Sequence, residues 1–343
     1  MRSSQELLIP LEARSDWESV LEGTPHAFAH TWLSCQAMSL TTRWPTFMYV
    51  WQDGPSRVVC AIAERGDGRD VDVVTPYGFG GFVGHRAGPA LLEDWSRFAL
   101  ERGYVCGYLG LNPLLMPSVC GTAPDYREHN DIYVLELDRG LAALRTGLSS
   151  NRRRQLRAFE CGTARISYDR DRLAAFFLAE IDEFLRSRGA SSTYEFNAAT
   201  WRTLLGADDV LLVGAEAADG NLVAACLFAH TPYCAEYLFG VSRSDGTMYS
   251  ASLIWAGAAL LAEMGVPRMN LGGGVRRADG VAEFKRRFGG VRMPLGALTQ
   301  VYRPAEYAAL CSAVGRDPAD RTGFFPAYRA PGVTPPAAAT PLS

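Results

Sequence analysis

Apolar and polar positions along this chain follow one short pattern written twice. Asp53-Gly54 turns into the apolar run Val58 to Ala63, and Asp219-Gly220 turns into Leu222 to Ala229, each a hairpin signal that feeds a β-strand. Downstream, the spacing of apolar residues predicts amphipathic helices over Pro89 to Glu101 and Tyr249 to Glu263, each followed by a further strand. The punctuating glycines recur 162 positions later: Gly103 and Gly265 end the helices, Gly110 and Gly272 end the strands. A duplicated α/β (α+β) unit is therefore expected. At 343 residues the chain has room for two units of the usual ~100–200 residues. The expected boundaries are 1-148, 149-313 and a Pro/Ala-rich tail at 314-343 that is expected to be loosely draped or disordered.

The second unit opens on a basic block. After the strand-like Ile132 to Leu137 comes Ser149-Ser150-Asn151-Arg152-Arg153-Arg154-Gln155-Leu156-Arg157. Ser149, Ser150 or Asn151 can cap a helix whose first turn then carries three arginines. That arrangement opposes the helix dipole unless an anion relieves it, so Arg153, Arg154 and Arg157 are candidate phosphate contacts. A solvated arginine face is the alternative. A helix over Asp171 to Ser187 and the aromatic pair Tyr194 and Phe196 follow.

Composition narrows the functional classes. Net charge is −3, so any nucleic-acid partner needs a local patch rather than global attraction. The eight cysteines form no CxxC pair and the five histidines have no ligand spacing with them, so no metal site is expected. Met1 to Val20 has no apolar core of a signal peptide, and the longest apolar stretch, Ser252 to Met264, is too short to span a bilayer. The expectation is a cytoplasmic protein without stable membrane insertion.

Candidate chemistry centres on one residue. Lys285 is the only lysine beside 33 arginines. A compact ammonium whose pKa responds to burial differs most from a guanidinium where a point charge meets a developing anion. Glycine-rich loops end strands at Tyr77-Gly78-Phe79-Gly80-Gly81, Gly272-Gly273-Gly274 and Gly289-Gly290. They let backbone approach a ligand closely. Dinucleotide, P-loop and Gly-x-Ser-x-Gly signatures are absent from the sequence.

Tyr77 to Gly81, Asn112-Pro113-Leu114-Leu115, Arg154-x-x-Arg157, Tyr194-x-Phe196, the triple glycine and Asp279-x-x-x-x-Phe284-Lys285-x-x-Phe288-Gly289 together resemble the FemABX branch of the acetyltransferase-like (GNAT) superfamily. They stand in the family's order across most of the chain. The resemblance implies tandem duplicated GNAT-like domains, mixed sheets flanked by helices around a shared cleft, and a transferase that moves an aminoacyl group from aminoacyl-tRNA to an amine, typically on a peptidoglycan precursor or an antibiotic scaffold. It also implies Lys285 at the active site and a substrate-binding set of Tyr77, Gly78, Phe79, Asn112, Arg153, Arg154, Arg157, Tyr194, Phe196, Tyr237 and Gly273. No resident cofactor is implied. The partners are aminoacyl-tRNA and an anionic, peptide-like or small-molecule acceptor with a free amine.

Two departures qualify this. The segment Val241 to Ser250 lacks the glycine pair with which a GNAT domain holds the pyrophosphate of CoA, and there is no room for a coiled-coil arm between Asp171 and Tyr194. An acyl-CoA-dependent N-acyltransferase and a non-catalytic binding protein stay open as alternatives. Removing the proton from the attacking amine needs an acceptor, for which Asp279 is the first candidate, Glu236 a weaker one, and the substrate itself a third.

Overall fold

The computed structural model describes residues 4–66, 68, 70–189, 194–320 and 323–331. The strands are β1 Gln5–Pro10, β2 Thr46–Asp53, β3 Ser56–Arg65, β4 Asp72–Val74, β5 Val83–His85, β6 Cys106–Gly110, β7 Tyr126–Glu136, β8 Arg165–Ser167, β9 Val210–Glu216, β10 Leu222–His230, β11 Ala235–Ser242, β12 Arg268–Asn270 and β13 Val291–Val301. They form one sheet in the order β1, β2, β3, β4, β6, β13, β7, β12, β11, β10, β9, β8, with β5 paired to β3.

The two hairpin signals produce β2–β3 and β9–β10. Gly54 and Gly220 turn with positive φ (56° and 82°), a region that glycine enters at no steric cost. The duplication extends to the hydrogen bonds. Gly103 and Gly265 adopt φ 84° and 79° and close identical helix ends: Gly103 N–H reaches Leu100 O and Tyr104 N–H reaches Ala99 O, while Gly265 and Val266 do the same to Ala262 and Leu261. Beyond those caps, β4 runs parallel to β6 with Val73 opposite Gly107 and Val74 opposite Tyr108. In the second half β11 runs parallel to β12 with Ala235 opposite Met269 and Glu236 opposite Asn270. Each of these four positions lies 162 residues after its counterpart. Every other pairing in the sheet is antiparallel, so each half carries one parallel pair at an equivalent place.

The halves also exchange their last strands. β7 pairs with β12 of the second half, whereas β13 returns to pair with β6 of the first. The β13–β7 pair between them joins the two half-sheets into one. Helices Ala90–Glu101 and Ser250–Glu263 bury Trp95 and Leu253, Ile254 and Leu261 against their respective half-sheets.

The described part of the tail is packed rather than loose. Ala327 and Tyr328 are buried with Val105, Cys106, Tyr307 and Cys311. Tyr328 Oη donates to Asp72 Oδ2 at 3.0 Å, and the Arg329 guanidinium pairs with the same carboxylate. Two aromatic residues and an arginine among the prolines supplied a cohesion that proline and alanine content concealed. Residues 332–343 lie outside the described part.

Candidate active site

The segment around Lys285 folds as a short helix, Gly280–Arg286, capped by Asp279. Asp279 Oδ1 accepts from Ala282 N at 2.8 Å and Oδ2 from Arg276 N at 2.9 Å. These backbone donors hold its carboxyl below the usual range. Asp279 is thus committed as a helix cap, which weakens the base role expected for it.

The helix turns Lys285 inward. Its Nζ donates to Gly273 O at 2.7 Å and lies 5.8 Å from the ring centroid of Tyr237. Burial pushes its pKa down to about 8, opposed by the charge of Asp279. Gly272, at φ 72°, makes room for the ammonium: a Cβ there would stand 2.9 Å from Nζ and 3.8 Å from the Phe79 ring. Phe79 of the first half, Gly272, Gly273, Tyr237 and Lys285 therefore meet at one place.

Arg152, absent from the sequence-derived set, fixes this helix. Its guanidinium donates to Phe284 O at 2.9 Å and lies 3.9 Å over the Phe284 ring and 4.9 Å over that of Phe288. Burial draws its pKa down to about 10, with Arg287 adding repulsion. Ser149 caps the helix Ser150–Glu160 through Arg152 N, and its own N–H reaches Arg287 O at 3.0 Å. The basic block is thereby anchored beside the lysine helix. Arg153, Arg154 and Arg157 are exposed. Arg153 donates to Thr146 O and Leu148 O at 3.1 and 2.8 Å, and Arg154 to Asn151 Oδ1 at 2.9 Å.

The remaining predicted aromatic residues form a cluster of their own. Tyr77 stacks on Phe239 at 5.9 Å and meets Tyr194 and Phe196 edge-on at 5.9 and 5.1 Å. The loop that carries it is held from beneath. Asn112, buried, donates to Phe79 O at 3.0 Å and accepts from Leu114 N at 2.9 Å, so it buttresses the loop. Gly78 presses on Ala29, whose Cβ would stand 2.8 Å from an added Cβ. His30 donates Nε2–H to Gly81 O at 2.8 Å while Nδ1 accepts from Ala27 N at 3.2 Å. Its burial lowers its pKa to about 4 and keeps the ring neutral.

Glu236, ranked low on sequence, is 2 % exposed. Its Oε1 has no hydrogen-bond partner among the described residues, and burial raises its pKa to about 8. It faces a small cavity shared with Tyr77, Gly78, Phe28, Ser34 and Phe239. The sequence signal that could have promoted it is a carboxylate inside an apolar strand directly after Cys234-Ala235.

No protein-family model and no curated protein matches the sequence. Solved structures do match. FemX aligns over 89% of this chain and 99% of its own with TM-score 0.66 and 11% identity. A conserved protein of unknown function from Bacteroides thetaiotaomicron VPI-5482 aligns over 88% of this chain and 100% of its own, with TM-score 0.57 and 12% identity. L-PGS from Bacillus licheniformis aligns over 84% and 91%, with TM-score 0.54 and 13% identity. The chain therefore has the FemX fold, and the duplicated α/β architecture expected from its repeat is present.

Proposed function

We propose that this protein is an acyltransferase that forms an amide bond, passing an aminoacyl group from aminoacyl-tRNA to an amine on a peptidoglycan-precursor-like or natural-product acceptor. The observation that carries the reading is the placement of Lys285. Its ammonium sits between a glycine-lined backbone and Phe79 from the other half. The FemX fold supports the same reaction class.

The amine nitrogen attacks the ester carbonyl, a C–N bond forms, and the C–O bond to the tRNA ribose breaks. The tetrahedral intermediate places negative charge on the carbonyl oxygen, and Lys285 is the preorganised positive charge for it. Holding both reactants in one cleft supplies much of the remaining acceleration. The departing ribose oxygen takes the proton that the amine gives up. Arg153, Arg154 and Arg157, exposed beside the lysine helix, are the contacts for phosphates of tRNA or acceptor.

Acyl-CoA fits the second half less well. The single glycine of its Val241–Ser250 segment, Gly246, is pressed against β10, where a Cβ would stand 2.0 Å from Val223 O. It serves packing and does not open a row of amides to a pyrophosphate. Incubation of the purified protein with charged tRNA and, separately, with acyl-CoAs tests the reading. Amine-dependent deacylation of the tRNA is expected, and consumption of acyl-CoA alone refutes the donor.

A further inference from the structure

The helix that carries Lys285 is seven residues long, Gly280–Arg286, shorter than a helix that holds itself in water. Its order therefore comes from its ends. Asp279 closes the first turn. In the last turn, Arg287 N reaches Glu283 O at 3.2 Å, Phe288 N reaches Lys285 O at 3.0 Å and Gly289 N reaches Arg286 O at 3.0 Å. The backbone thereby passes over Phe284 O. Arg152 Nη2 takes that carbonyl at 2.9 Å from the neighbouring helix, so an arginine side chain completes the end that main-chain donors leave open.

Packing alone does not account for an arginine here. The residue is 3 % exposed, and its Nε–H has no hydrogen-bond partner among the described residues. Burial draws its pKa down despite the charge of Glu283, which makes its own ion pairs with Arg286 and Arg287. An apolar side chain against the Phe284 and Phe288 rings would avoid both the unpaired N–H and the buried charge. It could not donate to Phe284 O while lying over the two rings, as the guanidinium does at 3.9 and 4.9 Å. A lysine could not do both either, because its ammonium is a point charge with no planar face. The residue next to that carbonyl is Lys285, whose Nζ donates to Gly273 O at 2.7 Å.

We propose that Arg152 is the positioning residue for Lys285: by closing the last turn of the lysine helix it holds the ammonium at Gly273 O, and it touches no reacting atom itself. The proposal rests on the amide-forming reading above and adds to it the group that sets the geometry of the charged residue. Two backbone contacts keep the partners in register. Ser149 N reaches Arg287 O at 3.0 Å, and Gly289, at φ 76°, lies so close to the Gly147 backbone that a Cβ would not fit. The guanidinium therefore meets the same carbonyl with little freedom. Without it the last turn frays, and Lys285, one residue from the helix end, swings toward water.

The test uses the fact that Lys285 is the only lysine. Protein grown with lysine isotopically labelled at Cε gives one side-chain resonance, whose titration reports the surroundings of Nζ without any substrate. In the unaltered protein it is expected to titrate near pH 8. Arg152→Met keeps a long stem against the rings and removes the cap, and is expected to raise the midpoint by about one unit or more, toward the value of a solvated lysine. Arg287→Met removes a neighbouring exposed charge but no cap, and should move it by less than about 0.3 unit. A solvated-lysine midpoint in the unaltered protein, an unmoved midpoint in Arg152→Met, or equal shifts in both variants overturns the proposal. Should Arg152→Met fail to fold, the same rise is read in Arg152→Gln, whose shorter amide does not reach Phe284 O; loss of folding in both makes Arg152 a residue of the fold and overturns the proposal too. Turnover is a separate readout. Arg152→Met is expected to lower kcat by about 10-fold or more with KM little changed. Full kcat in Arg152→Met removes the positioning role and keeps the reaction, whereas a shifted titration in a protein that transfers nothing keeps the hold of Arg152 on Lys285 and removes the reaction.

Discussion

Asp72 and Glu236 sit in equivalent strands, β4 and β11, and are buried to nearly the same degree, 0% and 2% exposed. Their surroundings are opposite. Asp72 accepts from Arg65 Nε at 2.7 Å and Tyr328 Oη at 3.0 Å, and pairs with Arg329. Glu236 keeps an oxygen with no partner among the described residues. In the first half, the position matching Glu236 is Val74, and the polar groups just beyond it are satisfied internally: Thr75 N reaches Tyr108 O and Thr75 Oγ1 accepts from Gly110 N at 3.1 Å. The duplicated backbone thus provides two equivalent parallel pairs. Around the first, side chains satisfy one another and stabilise the fold; in the second, Glu236 is left with an unpaired oxygen among the described residues. Polar groups that a protein leaves unpaired in its interior are the ones a ligand can complete.

The contrast is tested most severely at Asp72. Asp72→Ala leaves two buried or half-buried guanidinium groups without their carboxylate, and is expected to destabilise the protein by about 3–5 kcal/mol. Urea denaturation measures this, and an unchanged midpoint would show that the tail contact is superficial. At Lys285 the expected loss falls on turnover instead. Lys285→Met should lower kcat by about 10²–10³, or roughly 3–4 kcal/mol, with denaturation unchanged. Lys285→Arg should also fail, since a planar fork does not fit beside Gly272. If arginine restores kcat and methionine only raises KM, the lysine is a ground-state anchor.

Glu236→Met removes an unpaired buried carboxyl and should stabilise the protein by about 1–3 kcal/mol. Its pH dependence follows from the pKa raised from 4.5 to about 8 by burial. The folded state holds a proton that the unfolded chain releases above 4.5. The stability that proton provides is fully present below that value and is lost as pH rises through 8. The advantage of Glu236→Met over the unaltered protein should therefore grow between about pH 5 and 8; a constant difference would mean that Glu236 does not titrate there. The smallest effect belongs to Arg154→Ala, on an exposed side chain. Fold and kcat should be unaffected, and the dependence of log affinity for tRNA on log salt should fall by about one unit of slope. An unaltered slope places the polyanion elsewhere.

Much of this architecture was legible from one-dimensional signals because those signals report local sterics. Gly103 and Gly265 occupy left-handed turns that disfavour other residues, so their spacing of 162 carried the duplication directly into the register of β4–β6 and β11–β12. The scarcity of lysine marked Lys285 before any contact was known. Arg152, Arg153 and Arg154 look alike in the chain, and only helix geometry decides that Arg152 turns under Phe284 while its neighbours face solvent. The exchange of β7 and β13, the docking of Tyr328 and Arg329 on Asp72, and the isolation of Glu236 were decided by tertiary structure. Each depends on which distant residues come to surround a group, and a burial environment assembled from the helix Trp32–Thr42, the loop at Tyr77 and strand β11 leaves no periodic trace in any one of them.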